Sequence, residues 1–361
     1  MELYIEAGQH RYPIILRDSF DALEDSIKKA GISPQKVCIV ADTNVDPLYG
    51  DIVKEHLSQF CRHVVKYAIP AGESSKHLET VEKVYEFCLS HQFDRQSVIV
   101  ALGGGVVGDL GGFVASTYMR GIGFIQIPTT LLAQNDSSVG GKVGVDFKNH
   151  KNMIGAFYQP QLVYMNTATL LTLSERDFAS GMAEVIKHGL IRDKVFYNSL
   201  KGQAALVKAM DYQAISQVNL TSCRIKGDVV AQDEKEGSIR KILNFGHTIG
   251  HAIETLSDFG YLHGEAVSLG MVAVAYISFK RDMLTKLELS SIIDMLQLYD
   301  LPTHLSSLLA EDIYEQLFFD KKISNNTMVF ILLNGIGDCV EVNNITKEEI
   351  INSIGYLQKG E

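Results

Sequence analysis

Along the first half of the chain, short β-rich runs alternate with segments of helical period. Val37–Ala41, Val64–Ile69, Val98–Leu102, Phe124–Ile127 and Leu162–Met165 read as strands, and between them lie amphipathic stretches such as Val81–Leu89, whose apolar residues recur at helical spacing. Strands separated by helices predict a parallel sheet covered on both faces. Beyond about residue 175 the β-rich runs nearly vanish and helical periods take over, with one late exception at Met328–Leu333. The pattern therefore predicts an α/β architecture: a Rossmann-like parallel-sheet domain over residues 1–175, then a mainly α-helical domain over 176–361. No internal repeat and no Pro/Gly/Ser-rich linker interrupts it, so the two domains are expected to pack closely and share a cleft. Ala266–Phe279, the longest apolar stretch, is shorter than the ~20 residues needed to span a bilayer and reads as a buried core helix.

A length of 361 residues suits two domains, and 46% hydrophobic with 21% charged residues excludes a disordered or fibrous chain. The 33 basic against 43 acidic residues, net −10, argue against nucleic acid or an anionic membrane as the main partner. An anionic ligand must then find a local basic pocket. Five scattered cysteines with no C-x-x-C pair fit neither a disulfide framework nor a thiolate zinc site, and are expected to be core thiols. The first residues carry acid and no basic leader, so a soluble, cytoplasmic protein is expected.

Three groups of residues carry candidate chemistry. Gly103, Gly105 and Gly108 satisfy G-x-G-x-x-G directly after a strand, where backbone N–H groups and a helix N-terminus can receive a pyrophosphate. The acid that usually follows ~20 residues on is missing from Arg120–Thr130. Asp42 and Asn44 after one strand and Pro70–Lys76 after another are its substitutes, because the carboxyl ends of parallel strands share one edge. In the helical half, His247 and His251 stand at i, i+4 on one helical face, with His263 opening the apolar helix and Glu184 in a helix of its own. A carboxylate with two imidazoles is a common catalytic zinc arrangement, although by spacing alone an i, i+4 histidine pair is more often structural than a ligand pair. Finally, Arg120 and Lys142 lie beside glycines that let a cation approach a ligand closely, and Lys151, Lys187, Lys226, Arg240 and the pair Lys321–Lys322 add further cations. Asp233–Glu236 reads as a solvated loop without a role.

Taken together, Gly103–Gly121, Ile127–Ala133, Asp136–Lys142, Lys151–Pro160, Gly181–Lys187, Asn244–His251 and His263–Ala266 resemble the 3-dehydroquinate synthase family, in order and over nearly the whole chain. The resemblance implies the two-domain fold of that family and a lyase. Its reaction turns 3-deoxy-D-arabino-heptulosonate 7-phosphate into 3-dehydroquinate and phosphate, the second step of the shikimate pathway to aromatic amino acids. Two cofactors are implied, NAD and a divalent metal, Zn or Co.

By the same resemblance Glu184, His247 and His263 bind the metal. Asp42, Asn44, Glu73 and Lys76 surround the adenosine ribose, Gly104, Gly105 and Asp109 form the pyrophosphate turn, and Thr129, Thr130, Lys142, Lys151 and Thr172 lie nearby. The implied substrate and catalytic set is Asp136, Lys142, Asn152, Lys187, Lys226, Arg240, Asn244, His251 and one of Lys321 and Lys322. Arg120 would reach the substrate phosphate from a neighbouring subunit of a homodimer. Two departures from the family pattern are Asn135, where an apolar residue is usual, and His150, which replaces a frequent glycine. The implied chemistry oxidises the carbon-5 hydroxyl with NAD, eliminates phosphate, returns the hydride and closes the ring by an aldol step. An NAD- and metal-dependent polyol dehydrogenase is the alternative, but it does not need Arg120, Lys142, Lys226 and Arg240. A sister sugar-phosphate cyclase would leave Lys226 and Arg240 without a substrate carboxylate to bind.

Overall fold

The computed structural model describes residues 1–148, 150–258, 260–319 and 328–359. Two compact units divide the chain, Met1–Leu173 with Ile215–Lys235 and Ser174–Ala214 with Glu236–Glu361. Sequence reading assigned all of 176–361 to the second domain; in the structure the helical stretch 215–235 belongs to the first unit. Its small residues explain why: a Cβ on Gly227 would stand 2.5 Å from Ile5 Cδ1, so this helix lies tight against the first strand.

In the first unit the strands are β1 (Glu2–Ala7), β2 (His10–Arg17), β3 (Lys36–Asp42), β4 (His63–Ile69), β5 (Val98–Gly103), β6 (Gly123–Pro128), β7 (Lys142–Phe147), β8 (His150–Phe157) and β9 (Leu162–Asn166). One sheet runs in the order β1-β2-β9-β6-β5-β3-β4, parallel except for the β1–β2 hairpin. Successive residues of β3 go to opposite faces. Val37, Ile39 and Ala41 join one apolar cluster and Cys38 and Val40 the other. Both faces are therefore buried, which is why these strands read as unbroken apolar runs. Helices α1 (Leu23–Lys29), α2 (Asp51–Ser58), α3 (Leu78–Ser90) and α4 (Gly105–Thr117) connect the strands. The order in which strands are added across the sheet reverses between β3 and β5, so the carboxyl ends of these two parallel strands flank a topological switch point, where open α/β sheets bind ligands.

The β7–β8 hairpin was not foreseen. β8 is largely exposed and begins His-Lys-Asn, which gives no apolar alternation to read. All five cysteines are free thiols.

Most of the second unit is helical: α5 (Glu175–Arg192), α6 (Lys194–Lys208), α8 (His247–Leu256), α9 (His263–Lys280), α10 (Lys286–Leu298), α11 (Ala310–Phe319) and α12 (Lys347–Lys359), with a small hairpin of β10 (Phe330–Leu333) and β11 (Cys339–Val342). Helix α7 (Tyr212–Gln232) belongs to the first unit beyond its first turn. The expected apolar core helix is α9, against which α5, α8, α10 and α12 pack. Glycines set these separations. A Cβ on Gly264 would lie 1.9 Å from Ser180 O of α5, and one on Gly270 would lie 1.9 Å from Gly246 O at the start of α8. Both are far inside van der Waals contact with backbone, so the helices touch main chain to main chain.

Two outcomes follow from this packing. Gly270→Ala forces α8 and α9 apart and is expected to cost at least about 1–3 kcal/mol in urea denaturation; an unchanged midpoint would refute the close-contact account. The second concerns Arg281, just past α9, which donates to both carboxylate oxygens of Glu349 on α12 at 2.6 and 3.0 Å. This fork holds Glu349 at about 2, below its ordinary 4.5. A folded-state value below the unfolded one means the contribution is present above pH 4.5 and is lost as pH falls toward 2. Arg281→Ala should therefore lower stability by at most ~1 kcal/mol at neutral pH, since the pair is partly solvated, and the difference from wild type should fade in acid.

Candidate active-site residues

In the first unit the implied nucleotide residues gather at the carboxyl edge of the sheet. Asp42 ends β3, and its Oδ1 accepts from the backbone N–H groups of Asn44 and Val45 at 2.8 and 2.9 Å. Gly104 caps α4 and Gly105 opens it, with no side-chain cap on the helix N-terminus. At Gly104 a Cβ would stand 3.1 Å from Thr130 Cγ2, so the turn is narrow as well as uncapped. Thr129 donates its N–H to Gly103 O at 3.0 Å, joining the ends of β5 and β6. Thr172 meets Tyr49 through their hydroxyls at 2.7 Å.

Lys76, only 4% exposed, is the electrostatic centre of this edge. Its Nζ donates to Asp109 Oδ2 at 2.6 Å and to Asn152 Oδ1 at 2.5 Å, and Glu73 lies 3.8 Å away. Burial alone would lower its pKa, but Asp109 and Glu73 outweigh it and raise the lysine. Burial also pushes Asp109 up, against the pull of Lys76. Asn152, implied for substrate, is thus joined to residues implied for NAD. Lys142 and Lys151 are exposed on the β7–β8 hairpin.

Asp136 and Lys226 form a second group. Lys226 Nζ on α7 donates to Asp136 O at 2.6 Å and Oδ1 at 2.7 Å, with Asp136 in a π-helical turn, residues 133–137. Arg120 stands apart from both groups. It is exposed past the C-terminal end of α4, about 20 Å along the helix from Gly105. Met119 and Arg120 both adopt left-handed φ, 50° and 69°, an uncommon strain for consecutive non-glycine residues.

In the second unit, Glu184 from α5 and the first residues of α8 and α9 converge. His247 Nε2 and His263 Nε2 each lie 3.5 Å from Glu184 Oε1, and the ligand atoms of all three fall within 4.8 Å of one another. Lys187, one turn along α5, pairs with Glu184 in a fully buried contact. Burial, reinforced by the Lys187 ammonium, holds His247 well below the usual imidazole range, so it stays neutral. For His263 burial is overridden by Glu184 and Glu254, which raise it to about 9. His251 completes a cluster of three rings with centroids 5.2, 5.3 and 5.8 Å apart. A cavity of about 350 Å³ opens on Asn244, His247 and His251, walled by Thr248, Leu317 and Ile331. Arg240 is 2% exposed in the preceding 3₁₀ turn. Lys321 and Lys322 lie outside the described residues.

Sequence reading missed three acids. Glu254, on the same helix as His247 and His251, places Oε2 3.7 Å from His263 Nδ1, the ring nitrogen turned away from Glu184. Its spacing, i+3 from His251 and i+7 from His247, was the available signal. From the loop read as solvated, Glu236 accepts from Asn244 Nδ2 at 3.1 Å, and Glu234 accepts from Gln159 Nε2 at 3.0 Å within the first unit.

An α/β unit with a parallel sheet and a glycine turn, followed by a helical unit, is a fold that solved structures share. The chain aligns with 2-epi-5-epi-valiolone synthase of Streptomyces hygroscopicus subsp. jinggangensis 5008, solved with NAD+ and Zn2+ bound, at TM-score 0.90 and 28% identity over 98% of each chain. It aligns with a 2-deoxy-scyllo-inosose synthase complexed with carbaglucose-6-phosphate, NAD+ and Co2+ at TM-score 0.88 and 26% identity, covering 98% of this chain and 99% of that one. Both are sugar-phosphate cyclases. Family models describing the 3-dehydroquinate synthase N-terminal and C-terminal parts match residues 66–180 and 181–323. A 3-dehydroquinate synthase of Acetivibrio thermocellus is 42% identical over 355 residues, 98% of both chains. The chain belongs to the 3-dehydroquinate synthase family. No helix among the described residues is long and apolar enough to cross a membrane.

Lys76 supplies the prediction here. Lys76→Met leaves Asp109 without its cation and is expected to cost about 3 kcal/mol in urea denaturation, and Asp109→Asn in the same chain should recover more than half. Strict additivity of the two changes would contradict the pairing.

Proposed function

We propose that this chain converts 3-deoxy-D-arabino-heptulosonate 7-phosphate to 3-dehydroquinate and inorganic phosphate, using NAD and a divalent metal. The near full-length identity to a 3-dehydroquinate synthase carries this reading. The donor sets fit both groups. Glu184, His247 and His263 offer one oxygen and two nitrogens from three helices, and their ligand atoms fall within 4.8 Å of one another. Gly104 and Gly105 offer the uncapped start of α4 to a pyrophosphate.

When bound, the metal supplies Lewis acidity at the hydroxyl being oxidised, and NAD takes up and then returns one hydride. The chain's own residues do the rest. His251, exposed beside the cluster, takes the proton released from that hydroxyl. Once carbon 5 is a ketone, the carbon-6 proton becomes acidic; the substrate's own phosphate takes that proton and leaves from carbon 7 with the C–O electron pair. Lys142 and Asn152 bind the departing dianion, while Lys226 and the buried Arg240 suit the substrate carboxylate that sister cyclase substrates lack. Lys187, held against Glu184, orients the carboxylate for the metal.

The finer reading of the partner is a second copy of this chain. Arg120 lies about 20 Å from its own glycine turn, and the adjacent Met119 is exposed, as are Phe147, Met153 and Phe157 of the β7–β8 hairpin. A neighbouring subunit's phosphate is its assigned target. Localisation in the cytoplasm belongs to the same reading.

Incubating the protein with the heptulosonate phosphate and catalytic NAD tests the reaction. Phosphate should be released over many turnovers while absorbance at the NADH band never exceeds the enzyme concentration. Sustained NADH matching substrate loss would instead establish a dehydrogenase. Arg120→Ala should raise KM for the phosphorylated substrate roughly 10- to 150-fold with NAD affinity unchanged. Mixing it with inactive Lys142→Ala protomers should restore activity; failure despite proven subunit exchange removes the shared site. Glu254→Gln should weaken Zn2+ binding by about 10- to 100-fold in a chelator competition, because His263 loses the carboxylate behind its second nitrogen.

A further inference from the structure

Asn135, the departure from the family pattern, lies in a polar pocket of the first unit's interior. Gln134, Asn135, Ser138, Ser216, Asn219 and Ser222 are all fully buried there. Asn219 on α7 uses both ends of its amide on the 133–137 turn. Its Nδ2 donates to Gln134 Oε1 at 2.7 Å, and its Oδ1 accepts from Asn135 Nδ2 at 3.2 Å. Asn135 Nδ2 also donates to Leu131 O at 3.1 Å. Gln134 Nε2 in turn donates to Pro128 O and Asn166 O, both at 3.2 Å, which ties the turn to the ends of β6 and β9.

One turn further along α7, Cys223 Sγ donates to Gln134 O at 3.2 Å, and beyond it Lys226 grips Asp136. Positions 219, 223 and 226 recur at i, i+4 and i+7, a single stripe of the helix. That stripe meets three consecutive residues, 134, 135 and 136. Apolar contacts would tolerate a slide of the helix against the turn, whereas the hydrogen bonds made by Asn135 Nδ2 and by both ends of the Asn219 amide form in one register only, with Asn135 Oδ1 left buried and without a partner.

We propose that the Asn135–Asn219 amide pair is a positioning device for substrate binding: it sets the register of α7 against the 133–137 turn, and so presents Asp136 and Lys226 as a fixed pair. The proposal rests on the reading that these two residues contact substrate.

Asn135→Leu and Asn219→Leu, close to asparagine in shape, test it singly and together. Each single change strands a buried amide. It is expected to raise KM for the heptulosonate phosphate about 10-fold, with kcat and the NAD dissociation constant within about threefold. The double variant keeps neither asparagine and so removes the same register device as either single change; its KM increase should be no greater than that of the worse single variant. A fall in Tm with KM unchanged in the folded enzyme overturns the proposal, as does a double variant whose KM effect is the product of the singles. A crystal structure of Asn219→Leu gives a readout independent of turnover, with Asn135→Leu in its place should the first fail to fold. The Lys226 Nζ–Asp136 Oδ1 contact of 2.7 Å should open beyond hydrogen-bond reach. Should wild type release no phosphate from this substrate, the assigned reaction falls, while an opened contact still upholds the positioning role. A contact that stays closed in the variant overturns that role.

Discussion

The convergence of Glu184, His247 and His263 depends on how closely three helix backbones approach. A histidine or glutamate reaches only a few ångströms from its Cα, so donor atoms from α5, α8 and α9 meet only where the helix axes are nearly in contact. Gly264 against Ser180 O and Gly270 against Gly246 O make that contact possible, each at a place where a methyl group would overlap the neighbouring carbonyl. Gly246 does so in a left-handed conformation, φ 78°, that turns the chain into α8 one residue before His247. The apolar character of α9 follows from the same geometry, because a helix packed on all sides has no face for polar residues.

Within this acidic chain the buried lysines sit beside carboxylates. Lys76 lies on Asp109, Lys187 on Glu184 and Lys226 on Asp136. Each pair keeps a cation out of water at tolerable cost, since an unpaired buried charge is strongly disfavoured. Each also leaves charge that an incoming anion or cation can re-partition. Lys76 illustrates the point: it already holds Asn152 and Asp109 together, two residues implied for different ligands. The charged groups are thus assembled as compensated sets, and the acidic balance of the whole chain says little about the local field at any of them.

Strands buried on both faces, such as β3 and β5, were legible because nearly every residue in them is apolar, whichever side it faces; these, with β4, β6 and β9, fall where the runs predicted. The exposed β8 was not, since solvent imposes no pattern on it. Glu254 went unnoticed for a related reason: its place behind His263 depends on the angle between α8 and α9, which helical spacing does not encode. The loop holding Glu234 and Glu236 reads as solvated charge, yet both carboxylates accept side-chain amides. Asn135, conspicuous in sequence only as a departure, gained its explanation from Asn219, 84 residues away.

The sequence by itself determined the buried strands, the helical character of the second half and the glycine turn after β5, because each is written locally in residue type and spacing, while the Glu184, His247 and His263 set came from the resemblance to a family rather than from spacing. Which unit α7 joins, which lysine faces which acid and which asparagine answers Asn135 were decided only by tertiary structure. Those choices depend on distances between segments far apart in the chain, and such distances are set by the packing of buried volume rather than by any periodicity along it.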